Sequence, residues 1–201
     1  MTGREGLVPF YGEPALTRAV GGLLNSGSVD QVVIVTPPNR SAACAAALHT
    51  VRNARLHLSS RGADLDWSAL AAEVCRDAEI VLIHDPARPF TPATVLDAVV
   101  REVRAGAPVA VPVQPVTDTI KAIGSAGVVS GTHDRTTLRS TQAPCGFRAE
   151  VLRELPGTDP LGAAVGRGVP VRTVPGHVRG MRLSTPFDRT VMAALLAEET
   201  T

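Results

Sequence analysis

Ile80-Val81-Leu82-Ile83-His84-Asp85-Pro86-Ala87-Arg88-Pro89-Phe90-Thr91-Pro92 is the stretch on which the fold turns. Its first four residues are apolar and mostly β-branched, which predicts a strand covered on both faces. Thr91-Pro92 opens a helix expected to run to about Ala105, because proline suits a first helical turn. A strand feeding a helix through a short polar loop is half of a βαβ unit.

The same alternation extends in both directions. Upstream, Gly6 to Phe10 is a short strand candidate and Pro14 to Leu24 a helix, with Leu16, Val20, Leu23 and Leu24 at helical spacing. Val32-Val33-Ile34-Val35 is a second buried strand, Ser41 to Val51 a helix, Leu56 to Ser59 a strand and Trp67 to Arg76 a helix. Downstream, Val109 to Val113 is a strand. Ile123 to Arg139 has glycines and no helical period, and is expected to form a hairpin arm. Arg148 to Leu155 reads as a helix, Val169 to Val174 as a strand, and Thr185-Pro186-Phe187-Asp188 opens a last helix with a capping box. The expectation is α/β: a Rossmann-like, mostly parallel sheet with helices on both faces and a protruding β-arm. One domain over residues 1–201 is expected, with the arm at about 118–141.

Composition excludes several classes. The 20 basic residues against 19 acidic ones leave a net charge of +1, and aromatic residues are 3% of the chain. A basic nucleic-acid footprint and stacking platforms are both missing. The 44% hydrophobic content argues against disorder. No apolar run approaches a membrane span, and no secretory signal is visible at Met1 to Glu5, so a cytoplasmic protein is expected. Three cysteines, Cys44, Cys75 and Cys145, are too few and too scattered for a disulfide framework or a zinc site. Lys121 is the only lysine, so any other task for a cation falls to arginine. No G-x-G-x-x-G follows the first strand candidate, which sets aside a dinucleotide-dependent oxidoreductase.

Ligands of such sheets bind beyond the carboxyl ends of the strands. At the end of the Ile80 to Ile83 run, Asp85 is placed to hold Mg²⁺ while Arg88 grips a phosphate oxygen. The same two residues can instead cap the turn and pair with each other. Pro115-Val116-Thr117-Asp118-Thr119-Ile120-Lys121 clusters two hydroxyls, a carboxylate and the only ammonium. It suits a phosphate, and it equally suits a turn held by local side-chain hydrogen bonds.

Together the two segments resemble the 2-C-methyl-D-erythritol 4-phosphate cytidylyltransferase family of the isoprenoid pathway. His84 to Phe90 is similar to its H-D-A-A-R-P-F signature and Pro115 to Lys121 to its P-V-x-D-T-I-K signature. Val129 to Phe147 resembles its arm and the T-P-Q-G-F turn that follows. The resemblance implies a Rossmann-like nucleotidyltransferase that joins CTP to a sugar-alcohol phosphate with Mg²⁺ and releases pyrophosphate. It implies a homodimer built through the exchanged arm. Carried over by position, Asp85 is the metal and nucleotide acid, and Arg88 and Arg182 join it as catalytic residues. Asp118, Thr119, Lys121 and Arg135 are the substrate-binding set, with Thr119 and Arg135 reaching the site from the partner's arm.

The chain departs from the family at its start. The family has a first strand and then an A-A-G-x-G-x-R loop that cradles the triphosphate with backbone N–H groups. Pro9, Phe10, Tyr11 and Gly12 align best with the end of that strand and the start of the loop, as a degenerate nucleotide-binding segment. The rest of the loop is missing; if Tyr11 fills the space it leaves, Tyr11→Gly is expected to reopen a cavity and restore nucleotide binding. The other alignment makes Gly3 to Leu7 the end of the loop and dispenses with the strand. It is disfavoured because two neighbouring strands would then keep unpaired backbone groups. Two readings stay open. One is a working transferase that substitutes arginines such as Arg40, Arg61 and Arg182. The other is a non-catalytic homologue keeping the fold, the arm and a phosphate or sugar-phosphate pocket.

Overall fold

A computed structural model describes residues 4–51, 53–62 and 65–198. A 3-10 turn at Arg4–Leu7 leads into a tight hairpin of β1 (Pro9–Phe10) and β2 (Glu13–Pro14). Tyr11 and Gly12 form its two-residue loop with φ of 51° and 78°, the left-handed pair that hairpin turns of the primed types require. Helix α1 (Ala15–Asn25) follows, then β3 (Val32–Thr36), α2 (Ser41–Ala47), β4 (Leu56–Ser60), α3 (Trp67–Val74) and β5 (Ile80–Ile83). The second half runs α4 (Ala93–Arg104), β6 (Val109–Pro115), β7 (Ile120–Ile123), β8 (Val129–His133), β9 (Arg139–Thr141) and β10 (Cys145–Arg148). It ends with α5 (Ala149–Arg153), α6 (Pro160–Gly166), β11 (Val171–Pro175) and α7 (Pro186–Glu198).

The main sheet has the order β11-β6-β10-β5, with β9 also on β6. β11 is parallel to β6, whereas β10 runs antiparallel to both β5 and β6. The sheet is therefore mixed. β10 falls in the turn expected after the arm and takes in Arg148, the first residue of the expected helix, and its four residues carry no apolar run. Non-local pairing makes it a strand. Gly146 permits it to lie under α4, since a Cβ there would meet Val99 Cγ1 at 2.5 Å.

Side chains alternate across the sheet as the pleat demands. Ile80 and Leu82 pack with Val99 and Val103 of α4, while Val81 and Ile83 pack with Phe147 and Leu152 on the other face. Helices thus cover both faces, as expected. Helix α7 opens with the expected capping box: Asp188 N–H donates to Thr185 Oγ1 at 3.1 Å, and Thr185 N–H donates to Asp188 Oδ2 at 2.7 Å. The β7–β8 arm is exposed, including Ile120, Ile123, Val128 and Val129 on it.

One expectation is overturned. Gly6 to Phe10 does not supply a strand of the main sheet, and among the described residues β1 pairs only with β2. Among the described residues β3 and β4 pair only with each other, as a parallel two-stranded sheet. They pack with α1 and α2 around a core of their own, built on Leu16, Val20, Leu24, Ile34, Cys44 and Leu48. Between β3 and β5 lies a slot of about 800 Å³, lined by both strands and by residues of α1, α3 and α4. The disfavoured alignment, with no first strand in the sheet, describes these residues. The slot also explains why β5 is half-buried throughout, although its apolar run predicts full burial.

Candidate functional site: a carboxylate between two arginines

The loop after β5 is organised by its own side chains. Ala87 N–H donates to Asp85 Oδ1 at 2.9 Å, and Arg88 N–H donates to the Asp85 carbonyl at 2.9 Å. This is the turn expected from an Asp-Pro sequence. Arg88 then reaches across to the 176–184 segment and donates to the carbonyls of Gly180 and Thr141. Leu183 N–H returns a bond to the Ala87 carbonyl at 2.8 Å. These bonds lay Arg182 against Asp85. Its Nε donates to Asp85 Oδ2 at 2.7 Å, and its Nη1 donates to Ser184 Oγ at 2.8 Å.

Arg182 thus pairs with the carboxylate, and Arg88, bonded to backbone carbonyls, adds its positive field nearby. Burial pushes the Asp85 carboxyl up, but the Ala87 N–H and the Arg182 and Arg88 guanidiniums outweigh it and hold it below the usual range. Burial also lowers Arg88, with Asp85 opposing and Arg182 adding to the shift. The cluster carries one positive charge in excess, half out of water, which suits a phosphate oxygen.

His84 anchors the base of this loop. Its Nε2 lies 3.2 Å from the Arg88 carbonyl, and its Nδ1 is buried without a partner among the described residues. Burial pulls the imidazole down to about 4, opposed by the Arg88 carbonyl and Asp85, with Arg88 lowering it further. The unfolded chain takes up this proton near pH 6.5 and the folded one only near pH 4. Stability is therefore expected to fall as pH drops through that window, by on the order of 3 kcal/mol. Urea titrations at several pH values check this, and His84→Asn should remove most of the slope between pH 6.5 and 5, above the range where the lowered carboxylates contribute.

A residue that sequence reasoning missed holds the other side. Gln142 Nε2 donates to the His177 carbonyl at 2.9 Å, and His177 N–H donates to Gln142 Oε1 at 3.0 Å. Gly176 and Gly180 flank that amide, where a Cβ would lie 2.4 Å and 2.7 Å from Gln142 Oε1. Their four-residue spacing was the available signal. Gln142→Ala is expected to cost about 2 kcal/mol, for two hydrogen bonds. It should also release the segment carrying Arg182, which the urea midpoint and faster amide exchange at His177 would report.

The arm residues form a second group. Asp118 and Thr119 are exposed in the loop before β7. Lys121 Nζ donates to Thr132 Oγ1 at 2.8 Å across the hairpin, and Arg135 Nη1 donates to the Thr117 carbonyl. Asp134 caps the next turn by accepting from Thr136 N–H at 2.9 Å.

Pro9 to Gly12 sit beside the first group. The Phe10 ring meets Phe90 edge-on at 5.2 Å, and the Arg18 guanidinium stacks over Phe90 at 5.4 Å. Tyr11 is 71% exposed. The ring stands in solvent, so the condition for reopening a cavity by Tyr11→Gly is not met.

The chain resembles known proteins over nearly its whole length. A family model described as 2-C-methyl-D-erythritol 4-phosphate cytidylyltransferase matches residues 6–198. A protein of that name from Saccharopolyspora erythraea is 43% identical, covering 96% of this chain and 91% of its own. Among solved structures, a 4-diphosphocytidyl-2C-methyl-D-erythritol synthase superposes with a TM-score of 0.82 at 25% identity, covering 96% of this chain and 95% of that one. The synthase of Anaerococcus prevotii shares the fold, with a TM-score of 0.83 at 16% identity over 98% and 94% of the two chains. No helix among the described residues is long and apolar enough to cross a membrane. With the strand–Asp85–Arg88 loop, the arm and these matches in place, the chain belongs to the 2-C-methyl-D-erythritol 4-phosphate cytidylyltransferase family.

Proposed function

We propose that this chain acts in the cytoplasm to join CTP to 2-C-methyl-D-erythritol 4-phosphate, giving CDP-methylerythritol and pyrophosphate. The observation that carries the reading is the Asp85 carboxylate paired with Arg182 at the end of β5, within the field of Arg88. A phosphate oxygen of the sugar-alcohol phosphate attacks the α-phosphorus of CTP. The bond from that phosphorus to the bridging oxygen breaks, and pyrophosphate leaves. No covalent intermediate with the protein is needed, so positioning and charge neutralisation supply the rate. Arg88 grips a substrate phosphate, and Arg182 faces the charge that develops at the reacting phosphates.

Asp85 suits Mg²⁺ as its single protein ligand. Oδ1 accepts from Ala87 N–H and Oδ2 from Arg182 Nε, and a carboxylate oxygen has a second lone pair to offer a cation. No cluster of three metal-ligating side chains occurs among the described residues, and Mg²⁺ commonly takes one carboxylate together with substrate phosphates and water. When bound, the ion would neutralise charge on the triphosphate.

The arm is read as the dimer element. Its exposed Ile120, Ile123, Val128 and Val129 give it an apolar surface for a second copy to cover. In that dimer Thr119 and Arg135 reach the partner's phosphosubstrate, and Asp118 and Lys121 complete the substrate-binding set.

The test is pyrophosphate release from CTP, the methylerythritol phosphate and Mg²⁺ by the purified chain. Turnover supports the reading. No turnover, with no heat from CTP in calorimetry, sinks it. One observation favours a second reading, a non-catalytic homologue: Pro9 to Gly12 form a tight hairpin that leaves Tyr11 in solvent. Heat from the sugar phosphate alone, with none from CTP, supports that second reading.

A further inference from the structure

Ser184 lies between the candidate site and the start of α7, and the chain is fastened on both sides of it. Leu183 is buried, and its N–H donates to the Ala87 carbonyl at 2.8 Å. On the other side, Asp188 makes one bond more than a capping box requires. The box needs the third helical residue to accept from the cap N–H, and Thr185 N–H supplies that bond. Asp188 Oδ2 also accepts from Ser184 N–H at 2.9 Å. The backbone at Ser184 is therefore fixed before any ligand arrives.

Its hydroxyl is used differently from the others beside capping acids. Ser68 Oγ donates to Asp66 Oδ1 at 2.7 Å, and Thr136 Oγ1 donates to Asp134 Oδ1 at 2.8 Å. Ser184 has the Asp188 carboxylate on its own N–H, yet its Oγ accepts from Arg182 Nη1 at 2.8 Å. Arg182 Nε meanwhile donates to Asp85 Oδ2 at 2.7 Å. One planar guanidinium thus bridges the Ser184 hydroxyl and the Asp85 carboxylate. A hydroxyl has one hydrogen and two lone pairs. Here a lone pair is spent on a cation, and the hydrogen has no acceptor among the described residues. Accepting from a cation draws electron density off the oxygen and makes the O–H a stronger donor. The residue is exposed, so that hydrogen is open to a bound anion.

We propose that Ser184 is a further substrate-binding residue, whose hydroxyl donates to an oxygen of the sugar-alcohol phosphate beside Arg182. The identity of that phosphate rests on the transferase reading. The two side chains do different work. Arg182 supplies charge, which attracts a phosphate without fixing its rotation. The hydroxyl, on a backbone held by Asp188, takes one oxygen in one place and so orients the group for attack.

Ser184→Ala removes the hydroxyl and Ser184→Thr keeps it. In calorimetry with methylerythritol phosphate, Kd should rise about 10- to 100-fold in Ser184→Ala and be largely restored in Ser184→Thr. The value of kcat/KM for that substrate, read by pyrophosphate release, should change in parallel. The Arg182 Nε–H signal in proton NMR reports whether Arg182 still sits on Asp85. Its exchange should stay as slow in Ser184→Ala as in the parent chain. An unchanged Kd in Ser184→Ala, or no recovery in Ser184→Thr, overturns the proposal. Weakened binding together with fast exchange at Arg182 Nε–H also overturns it, because the hydroxyl would then act only by holding Arg182. Heat from the sugar phosphate, with no turnover and no heat from CTP, sinks the transferase reading alone, and the Kd of Ser184→Ala still decides the role of Ser184. No heat from the sugar phosphate in the parent chain overturns the role of Ser184 whatever the turnover.

Discussion

Phe147→Ala is expected to destabilise the chain by about 3–5 kcal/mol, a large part of what a domain of this size possesses. Phe147 is fully buried in the middle of β10. Its backbone is held on one side by Val81 and on the other by Val109. Its ring packs with Ala71, Leu152, Leu155 and Ala164. A ring on a strand pinned along both edges leaves a cavity that its neighbours cannot close, which places the cost toward the upper end of the range. The midpoint of urea unfolding should fall with little change in slope, and Tm should drop by about 10 °C. Phe187→Ala is the control: that ring is 74% exposed at the start of α7, and its removal should stay within about 0.5 kcal/mol. A small effect at Phe147 would mean that β10 is not clamped between β5 and β6.

The order of elements was legible because buried runs and amphipathic periods are local. Val32 to Val35, Ile80 to Ile83 and Val109 to Val113 all became strands. What a local run does not state is its partner. Leu7 to Phe10 has strand-like composition, yet Tyr11 and Gly12 turn it back on Glu13 and Pro14 before it can join a sheet. β10 was hidden for the opposite reason, since Cys145-Gly146-Phe147-Arg148 has no run and owes its strand to two neighbours far away in sequence. Helix α6 was missed although Asp159 caps it, accepting from Gly162 N–H at 2.9 Å, with Pro160 in its first turn. Its alanines and glycines carry too little apolar contrast to show a period.

The site divides in the same way. The Asp85 turn closes within three residues, so its loop was readable from Asp-Pro-Ala-Arg alone. Arg182 lies 97 residues away from Asp85 and entered only through the family resemblance. Gln142 escaped because its role depends on a segment 35 residues further on. The slot was legible only through the alternative alignment, in which two neighbouring strands keep unpaired backbone groups, the arrangement that β3 and β5 show.

Arg182→Ala carries the largest expected effect on turnover. Its guanidinium is fixed on Asp85 and Ser184 before any substrate arrives, so its charge needs little reorganisation when the reacting phosphates become more negative. Arginines placed this way in phosphoryl transfer are worth at least about 10³ in rate, and a loss of about 10³ in kcat is expected here. The split between constants identifies the role. If Arg182 serves the transition state, kcat falls and KM for the sugar phosphate stays near its original value. Arg88→Ala should show the reverse emphasis, because a phosphate grip acts in the ground state as well. Removing Arg182 also strips Asp85 of its closest cation. Burial then gains weight, and the carboxyl rises from its lowered position. The acidic limb of the pH–rate profile should move to higher pH in Arg182→Ala. Arg182→Lys keeps the charge and loses the planar fork, so it should restore that limb more fully than it restores kcat. An unchanged kcat in Arg182→Ala, measured by pyrophosphate release with Mg²⁺ present, would leave the Asp85–Arg182 pair as a fastening of the 176–184 segment and nothing more.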